Sequence, residues 1–473
     1  MFTTNPPATG KCASALNPPA SPDRWSEWCE RGLLVTFLAL SLVFNLAIQP
    51  GYGPDEPRHY RYVQRLAEKG ALPLRVAGGE LDGAHTLHPP LYYALLTPLY
   101  WITRGARPLA TLRVLKLVSP LLLGAALLLF AAALRRCFPD RPFIRLGALA
   151  TVALLPEFQL EAGVLNNDSL AILLGAALLY QCVRVAREEA RGPGAAVVAG
   201  LIMAAFANTK ATAFTLAPLW LFALCLRDRN LCVKKPAWWR DLALGYGLLL
   251  LLGTWWYLRN VNLYGQPVPL DFGSHNALRP RHLDTGAPMS PLEVYLTGMV
   301  VPLGLRAAVG LFQSFWVQID WVPEGLRPSV FGFLGVLCLT AIAGWGRRFW
   351  EHRRGRPATF GTVTALAGAG LLLVAAHTWY IATFLHLGFY QGGRYLMPAV
   401  FGAGVLLAGG WEGLLPEKAR PRVLLVLVGL LLAFNAICLR HLVAVLNPTY
   451  VLPIENPRHP LHEASGRLPV PRG

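Results

Sequence analysis

Charge is scarce in this chain. Of its 473 residues only 15% are Asp, Glu, Lys or Arg, against about a quarter in soluble globular proteins. The shortage is uneven: long apolar runs alternate with short basic clusters, the pattern of many membrane spans. Cysteine is sparse too, and unpatterned. Cys12, Cys29, Cys137, Cys182, Cys225, Cys232, Cys338 and Cys438 form no CxxC pair and no zinc spacing, and none falls in the long loops assigned below. That argues against a disulfide framework, and the eight read as small hydrophobic residues. A compact signal peptide is missing. The stretch to about Asp23 is rich in Pro, Ala and Ser and is expected to be disordered. The first apolar run, Leu33 to Ile48, comes late, has no small-residue cleavage site, and reads as a retained span. Acidic residues are few as well, leaving a formal charge of +17. Such a charge could suit nucleic acid. Here the basic residues sit in short loops between apolar runs, so they set membrane orientation and imply no nucleic-acid partner.

What is present is hydrophobicity, in 54% of residues. About eleven spans are expected, near 33–49, 113–134, 142–160, 169–186, 194–210, 212–226, 241–258, 329–346, 359–384, 397–413 and 422–440. The fifth and sixth are short and can alternatively form a re-entrant pair. The fold class is therefore all-α and polytopic. Basic residues collect in alternate connections: Arg135, Arg136, Arg141 and Arg145; Arg184, Arg187 and Arg191; Arg227, Arg229, Lys234, Lys235 and Arg240; Arg347, Arg348, Arg353, Arg354 and Arg356; Lys418, Arg420 and Arg422. The positive-inside rule makes that side cytoplasmic. Residues 1–32 then form a cytoplasmic N-terminus, 33–440 the membrane domain, and 441–473 an outer tail. Trp238-Trp239 and Trp255-Trp256 bracket the seventh span, as interfacial aromatic belts do.

Two long segments remain outside, 50–112 and 259–328. In the first, Pro54-Asp55-Glu56-Pro57 spells a helix start with acidic cap and early proline. The helix is expected to reach about Lys69, with Tyr60, Val63, Leu66 and Ala67 on its apolar face and Arg58, Arg61 and Arg65 favouring another. Such an amphipathic helix lies in the membrane interface. A second short helix is expected from Pro90 to Ile102.

Functional polarity gathers on this outer side: Asp55, Glu56, His59, His88, Asn166-Asn167-Asp168, Lys210, Arg259 and Arg394. A carboxylate near cations at headgroup depth suits transfer from a lipid phosphate. The acceptor hydroxyl needs a base, and the departing phosphate needs positive charge. Plainer readings stand beside this. Asp55 and Glu56 can cap the first-loop helix, and Asp168 can cap a span. Lys210 is costly in an apolar hairpin unless it snorkels. Arg259 and Arg394 can anchor span ends, although Gly392-Gly393 beside Arg394 allow close approach to a ligand.

Six segments carry a family resemblance: "GPDEPRHYRYV" after the first span, "HPPLYY" at 88–93, "NNDSLA" at 166–171, "TKATAF" at 209–214, "WWYLRNVNLYGQPV" at 255–268 and "QGGRYLMP" at 391–398. In this order the chain resembles the GT-C fold glycosyltransferases that use polyprenyl-phosphate sugars, which include protein O-mannosyltransferases and aminoarabinose transferases. The resemblance covers roughly residues 33–440. It implies a GT-C-like fold with interface helices in the first outer loop, and a hexosyl- or pentosyltransferase of the outer face of a bacterial inner membrane. Asp55 and Glu56 would be catalytic, with Asp55 the acceptor-activating base. Lys210, Arg394 and Arg259 would bind donor phosphate, and His59, His88, Asn167 and Asp168 would contact substrate. The implied partners are a polyprenyl-phosphate sugar, an envelope glycan, lipid or protein acceptor, and membrane lipids. Some members use Mg or Mn, but no metal cage is evident in the sequence. Two departures stand out: lysine-alanine at Lys210-Ala211 replaces a familiar lysine-glycine, and the C-terminal region shows no large soluble domain. The alternative is a transporter or flippase of a lipid-linked sugar. Such proteins show repeats and broken helices at the midplane, whereas these polar groups gather near one surface. A scaffold role would leave the paired carboxylates without a task.

Overall fold

A computed structural model describes residues 24–76, 79–80, 86, 88–228, 235–268, 285–287, 289–317, 326–354, 361–384 and 392–446. Helices dominate. In chain order they are α1 (Arg24–Ala47), α2 (Glu56–Lys69), α3 (Leu91–Thr103), α4 (Pro108–Lys116), α5 (Val118–Cys137), α6 (Pro142–Ala153), α7 (Pro156–Gly163), α8 (Asp168–Ala186), α9 (Pro193–Ala207), α10 (Ala213–Leu216) and α11 (Pro218–Arg227). There follow α12 (Pro236–Gly253), α13 (Trp255–Tyr264), α14 (Pro291–Leu296), α15 (Val300–Trp316), α16 (Pro328–Arg353) and α17 (Thr362–Phe384). A 3₁₀ turn, Gly393–Ala399, leads into α18 (Val400–Leu414), and α19 is Arg420–Leu446. The described strands are β1 (Arg75–Val76) and β2 (Gly79–Glu80), an antiparallel pair in register Arg75 to Glu80.

Among the described residues, seven helical stretches are long and apolar enough to cross a membrane: Arg24–Ala47, Pro108–Cys137, Asp168–Ala186, Pro328–Arg353, Thr362–Thr383, Gly393–Leu414 and Glu417–Ala444. The count rises to nine if α6 with α7 (bent by 49°) and α12 with α13 (bent by 43°) each form one span. The chain is a polytopic helical membrane protein. The two further spans expected at 194–210 and 212–226 do not reach this length. There α9, and α10 with α11, are shorter apolar helices of under 18 residues. The segment 259–328 was expected to be loop, yet it contains the apolar α15.

The interface helices fall where the sequence places them. α2 starts at Glu56, with Pro57 in its first turn, and ends at Gly70 in the left-handed region. α3 packs on α2. One detail differs: Arg65 is buried, donating from Nε to the Leu72 carbonyl at 3.2 Å.

α18 is the central pillar, packed by α6, α16 and α17. Helix association in lipid gains little from the hydrophobic effect and relies on close packing of small residues. The crossing of α16 and α18 does so. A Cβ on Gly344 would lie 1.8 Å from the Gly410 carbonyl oxygen, and one on Gly410 would lie 2.2 Å from that of Ala341. Loss of either glycine would force the helices apart. Of the eight cysteines, Cys29, Cys137, Cys182, Cys225, Cys338 and Cys438 are free thiols, while Cys12 and Cys232 lie outside the described residues.

Candidate active site

The site is built on the turn between α1 and α2. Glu56, the first residue of α2, is fully buried. Its carboxylate accepts N–H bonds from Gly51 (2.6 Å), Gly53 (3.4 Å) and Leu165 (2.8 Å). Lys116 of α4 stands 3.8 Å away and donates to the Ile48 carbonyl at 2.7 Å. One carboxylate therefore ties the first loop to α4 and to the segment between α7 and α8. Gly53 is required there, since a Cβ would lie 2.7 Å from Val164 Cγ1. Glu56 was expected to be catalytic beside Asp55. Its oxygens accept from these backbone amides and lie against a buried lysine.

Asp55 faces the other way. Its backbone is left-handed (φ 55°, ψ 5°), a region that Asp and Asn enter more readily than other non-glycine residues. It occupies the N-cap position of α2, yet its side chain makes no capping bond. The carboxylate points to Arg394 Nη2 at 3.4 Å and to Arg58 Nη1 at 3.8 Å, and is about one-third exposed.

Arg394 belongs to the 3₁₀ turn before α18. Gly393 presses that turn against α15, where a Cβ would lie 2.1 Å from the Ser314 carbonyl carbon. Gly393 N–H donates to Ser314 Oγ at 2.9 Å. Arg394 lies 5.3 Å from the centre of the Tyr395 ring, and its Nη2 is 3.5 Å from the tyrosine hydroxyl. Lys210 Nζ lies 4.5 Å from the same ring centre. Lys210 is buried and paired with Asp168, the first residue of α8, whose charge also complements the helix dipole. Asp168 is not the N-cap of α8; Asn167 is, and the Ser169 N–H is taken by Asn166 Oδ1 at 3.2 Å. Asn166 also donates to the buried Glu161 of α7. Asn167 donates to the Thr209 carbonyl at 2.9 Å, holding the Lys210 turn beside α8.

Lys210, Arg394 and Asp168 thus meet Asp55 around Tyr395. Glu161, within electrostatic reach of Asp168, Arg394 and Lys210, completes the cluster. Sequence reasoning missed both Glu161 and Tyr395. A carboxylate at the end of an apolar run was the available signal for Glu161.

His59 and His88 stand on a neighbouring aromatic wall. His59 Nδ1 is 2.8 Å from Tyr93 Oη, and its ring stacks on His88 at 5.7 Å. Tyr62 stacks on Tyr93 at 3.8 Å and donates to the His88 carbonyl at 3.2 Å. Burial pushes the Tyr60 phenol up to about 12 and raises Tyr62 further, keeping both neutral. Arg259 of α13 has other partners. It donates to the Pro73 carbonyl at 3.1 Å and to Asn260 Oδ1 at 3.1 Å, and sits over Trp256 at 4.7 Å. It braces the first loop against α13. Among the described residues no group of three His, Cys, Asp or Glu could hold a metal ion.

No family model matches the sequence, and no curated protein is similar to it. Among solved structures the chain is similar to ArnT from Cupriavidus metallidurans bound to undecaprenyl phosphate, at 17% identity and TM-score 0.46 over 83% of this chain and 62% of that one. It is also similar to the archaeal oligosaccharyltransferase AglB from Archaeoglobus fulgidus in complex with an inhibitory peptide and a dolichol-phosphate. There the identity is 13% and the TM-score 0.49, over 91% of this chain and 57% of that one. The chain spans about three-fifths of the length of these proteins.

Proposed function

We propose that the protein transfers a sugar from a polyprenyl-phosphate donor to an acceptor hydroxyl. The observation that carries this reading is the partly exposed Asp55 carboxylate facing Arg394, with Lys210 across the Tyr395 ring. A carboxylate suited to act as base and two cations suited to a phosphate thereby gather around one aromatic ring. Four of the six motif segments that resemble GT-C enzymes supply this cluster: Asp55, Asp168, Lys210 and Arg394 with Tyr395.

In the reaction, Asp55 takes the proton of the acceptor hydroxyl as the oxygen attacks the anomeric carbon. The new carbon–oxygen bond forms on the face opposite the bond that breaks, so the anomeric configuration inverts. The electron pair of the breaking bond leaves with the lipid phosphate, where Arg394 and Lys210 neutralise it. Glu56 holds the loop that presents Asp55. Asn167 and Asp168 position Lys210, and His59 and His88 form the neighbouring aromatic wall. Arg259 acts through the first loop. A bacterial inner membrane with the site on the outer face is the setting proposed from the basic connections.

The test is analysis of lipid-linked sugars in a deletion strain complemented by wild-type or Asp55→Asn protein. Asn keeps the side-chain size and tolerates the left-handed backbone. We expect a folded Asp55→Asn protein, accumulated donor, and turnover lowered by about 10²- to 10⁴-fold. Lys210→Ala and Arg394→Ala should also lower turnover while inserting normally. Full complementation by Asp55→Asn would defeat the mechanism.

A further inference from the structure

At the end of the bundle opposite the candidate site, four elements converge on one carboxylate. Glu412 of α18 is buried, and Arg348 of α16 reaches it at 2.5 Å. Arg141, just before α6, stands at 3.4 Å, and Arg420, the first residue of α19, at 3.9 Å. Arg420 is also 3.9 Å from Glu417, whose side chain is 88% exposed and therefore weakly held. Three guanidinium groups around one buried carboxylate leave an excess of positive charge, and the buried Nε of Arg420 has no hydrogen-bond partner among the described residues. A buried donor of this kind is expensive unless something accepts from it.

A cavity of about 290 Å³ opens deeper in the bundle, between α16 and α19 over α18 and α6, and extends to Trp316 and Ser329 on the candidate-site side. Its walls include Leu334 and Leu337 of α16, Trp411 of α18, and Leu427, Leu431 and Phe434 of α19. Helix register puts part of each wall on the face of the cations, while Leu430, Ala433 and Ile437 line the cavity from other faces of α19. Leu337 and Leu334 precede Arg348 by 11 and 14 residues, and Leu427, Leu431 and Phe434 follow Arg420 by 7, 11 and 14. At 3.6 residues per turn such spacings return to within about 40° of the same face. Trp411 adjoins Glu412 and donates from Nε1 to the Leu337 carbonyl at 3.0 Å, closing the floor. The cavity begins about 10 Å along α19 from Arg420 and continues for about 15 Å, to Ile437. A chain suspended from a phosphate at Arg420 therefore leaves headgroup depth and enters it.

We propose that this is a binding site for one anionic phospholipid of the leaflet opposite the candidate active site. Its phosphate sits on Arg141, Arg348 and Arg420, and one acyl chain fills the cavity. The bidentate geometry of arginine suits a phosphate, and the apolar lining suits only a hydrocarbon. The site does not depend on the transfer reaction.

The test uses the full chain, delipidated in neutral detergent and titrated with dioleoyl phosphatidylglycerol, dioleoyl phosphatidylcholine or glycerol 1-phosphate. Binding is read by native mass spectrometry. One phosphatidylglycerol should bind more tightly than phosphatidylcholine, and glycerol 1-phosphate should not saturate. Arg420→Gln should weaken phosphatidylglycerol about tenfold, the effect of one charge-assisted contact, and leave phosphatidylcholine unchanged. Ala433→Trp fills the cavity without touching the ion cluster and should weaken phosphatidylglycerol too, which decides the matter if Arg420→Gln fails to fold. Equal binding of the two lipids, binding of glycerol 1-phosphate as tight as that of the lipid, or unchanged binding in either folded variant would overturn the proposal.

Discussion

Two carboxylates adjacent in sequence meet opposite fates. The left-handed backbone at Asp55 turns its side chain out to Arg394, while Glu56 turns into the protein and binds three backbone amides and Lys116. Nothing in the string Asp55-Glu56 distinguishes them, because the difference comes from one φ angle set by the loop. Glu56→Gln would leave Lys116 buried without its counter-charge and would aim an amide NH₂ at backbone donors. We expect it to lower stability in detergent by about 3–5 kcal/mol, the usual result of breaking a buried pair, whereas Asp55→Asn should melt near the wild type. A Glu56→Gln protein that melts normally yet transfers no sugar would return Glu56 to the chemistry. Lys210 stood out in the sequence as a charge costly in an apolar hairpin, and Arg394 by its neighbours Gly392-Gly393. Tyr395, which both cations face, did not, because an aromatic beside an arginine at a span end is usually an interfacial anchor.

Among the elements, those with written punctuation were the legible ones. α2 and α3 start within a residue or two of their expected positions because proline and acidic residues mark helix N-termini. The 49° bend between α6 and α7 was also spelled out, by Pro156, since the residue before a proline avoids helical geometry. It was nonetheless read as one continuous span, because apolar composition runs through the break. α15 went unseen for the converse reason. Arg306 and Gln313 interrupt its apolar run, and it gains its place by packing on α17 and the Arg394 turn rather than by its own hydrophobicity. Such tertiary partners are invisible to a window that scores one segment at a time. The bent α6–α7 pair matters to the site because it carries Glu161 up to the Lys210 and Arg394 cluster.

For the whole molecule, composition revealed the polytopic helical class, and the distribution of basic residues separated the two ends of the bundle. Arg104, at the end of α3, and Lys418, before α19, are both exposed and lie at opposite ends. In a cysteine-free background, Arg104→Cys should react with an impermeant thiol reagent on intact cells and Lys418→Cys should not. The reverse pattern would place the site on the cytoplasmic side. The span count was less legible, because helices of 15 residues and helices of 22 have similar composition. The segment Gly393–Leu414 shows this most clearly: it is the least apolar of the seven long spans and the most buried, with 83% of its apolar window inside the protein. That has a consequence for biogenesis. A nascent segment leaves the translocon according to its own hydrophobicity, and this one is a weak candidate for lipid until partners surround it. Its neighbours α6, α16 and α17 are synthesised first, and the strongly apolar α19 follows at once. We expect chains truncated after Leu415 to leave α18 outside the bilayer, accessible to added protease. Chains extended through Leu446 should retain it, α19 anchoring the pair while α18 finds the groove already formed for it.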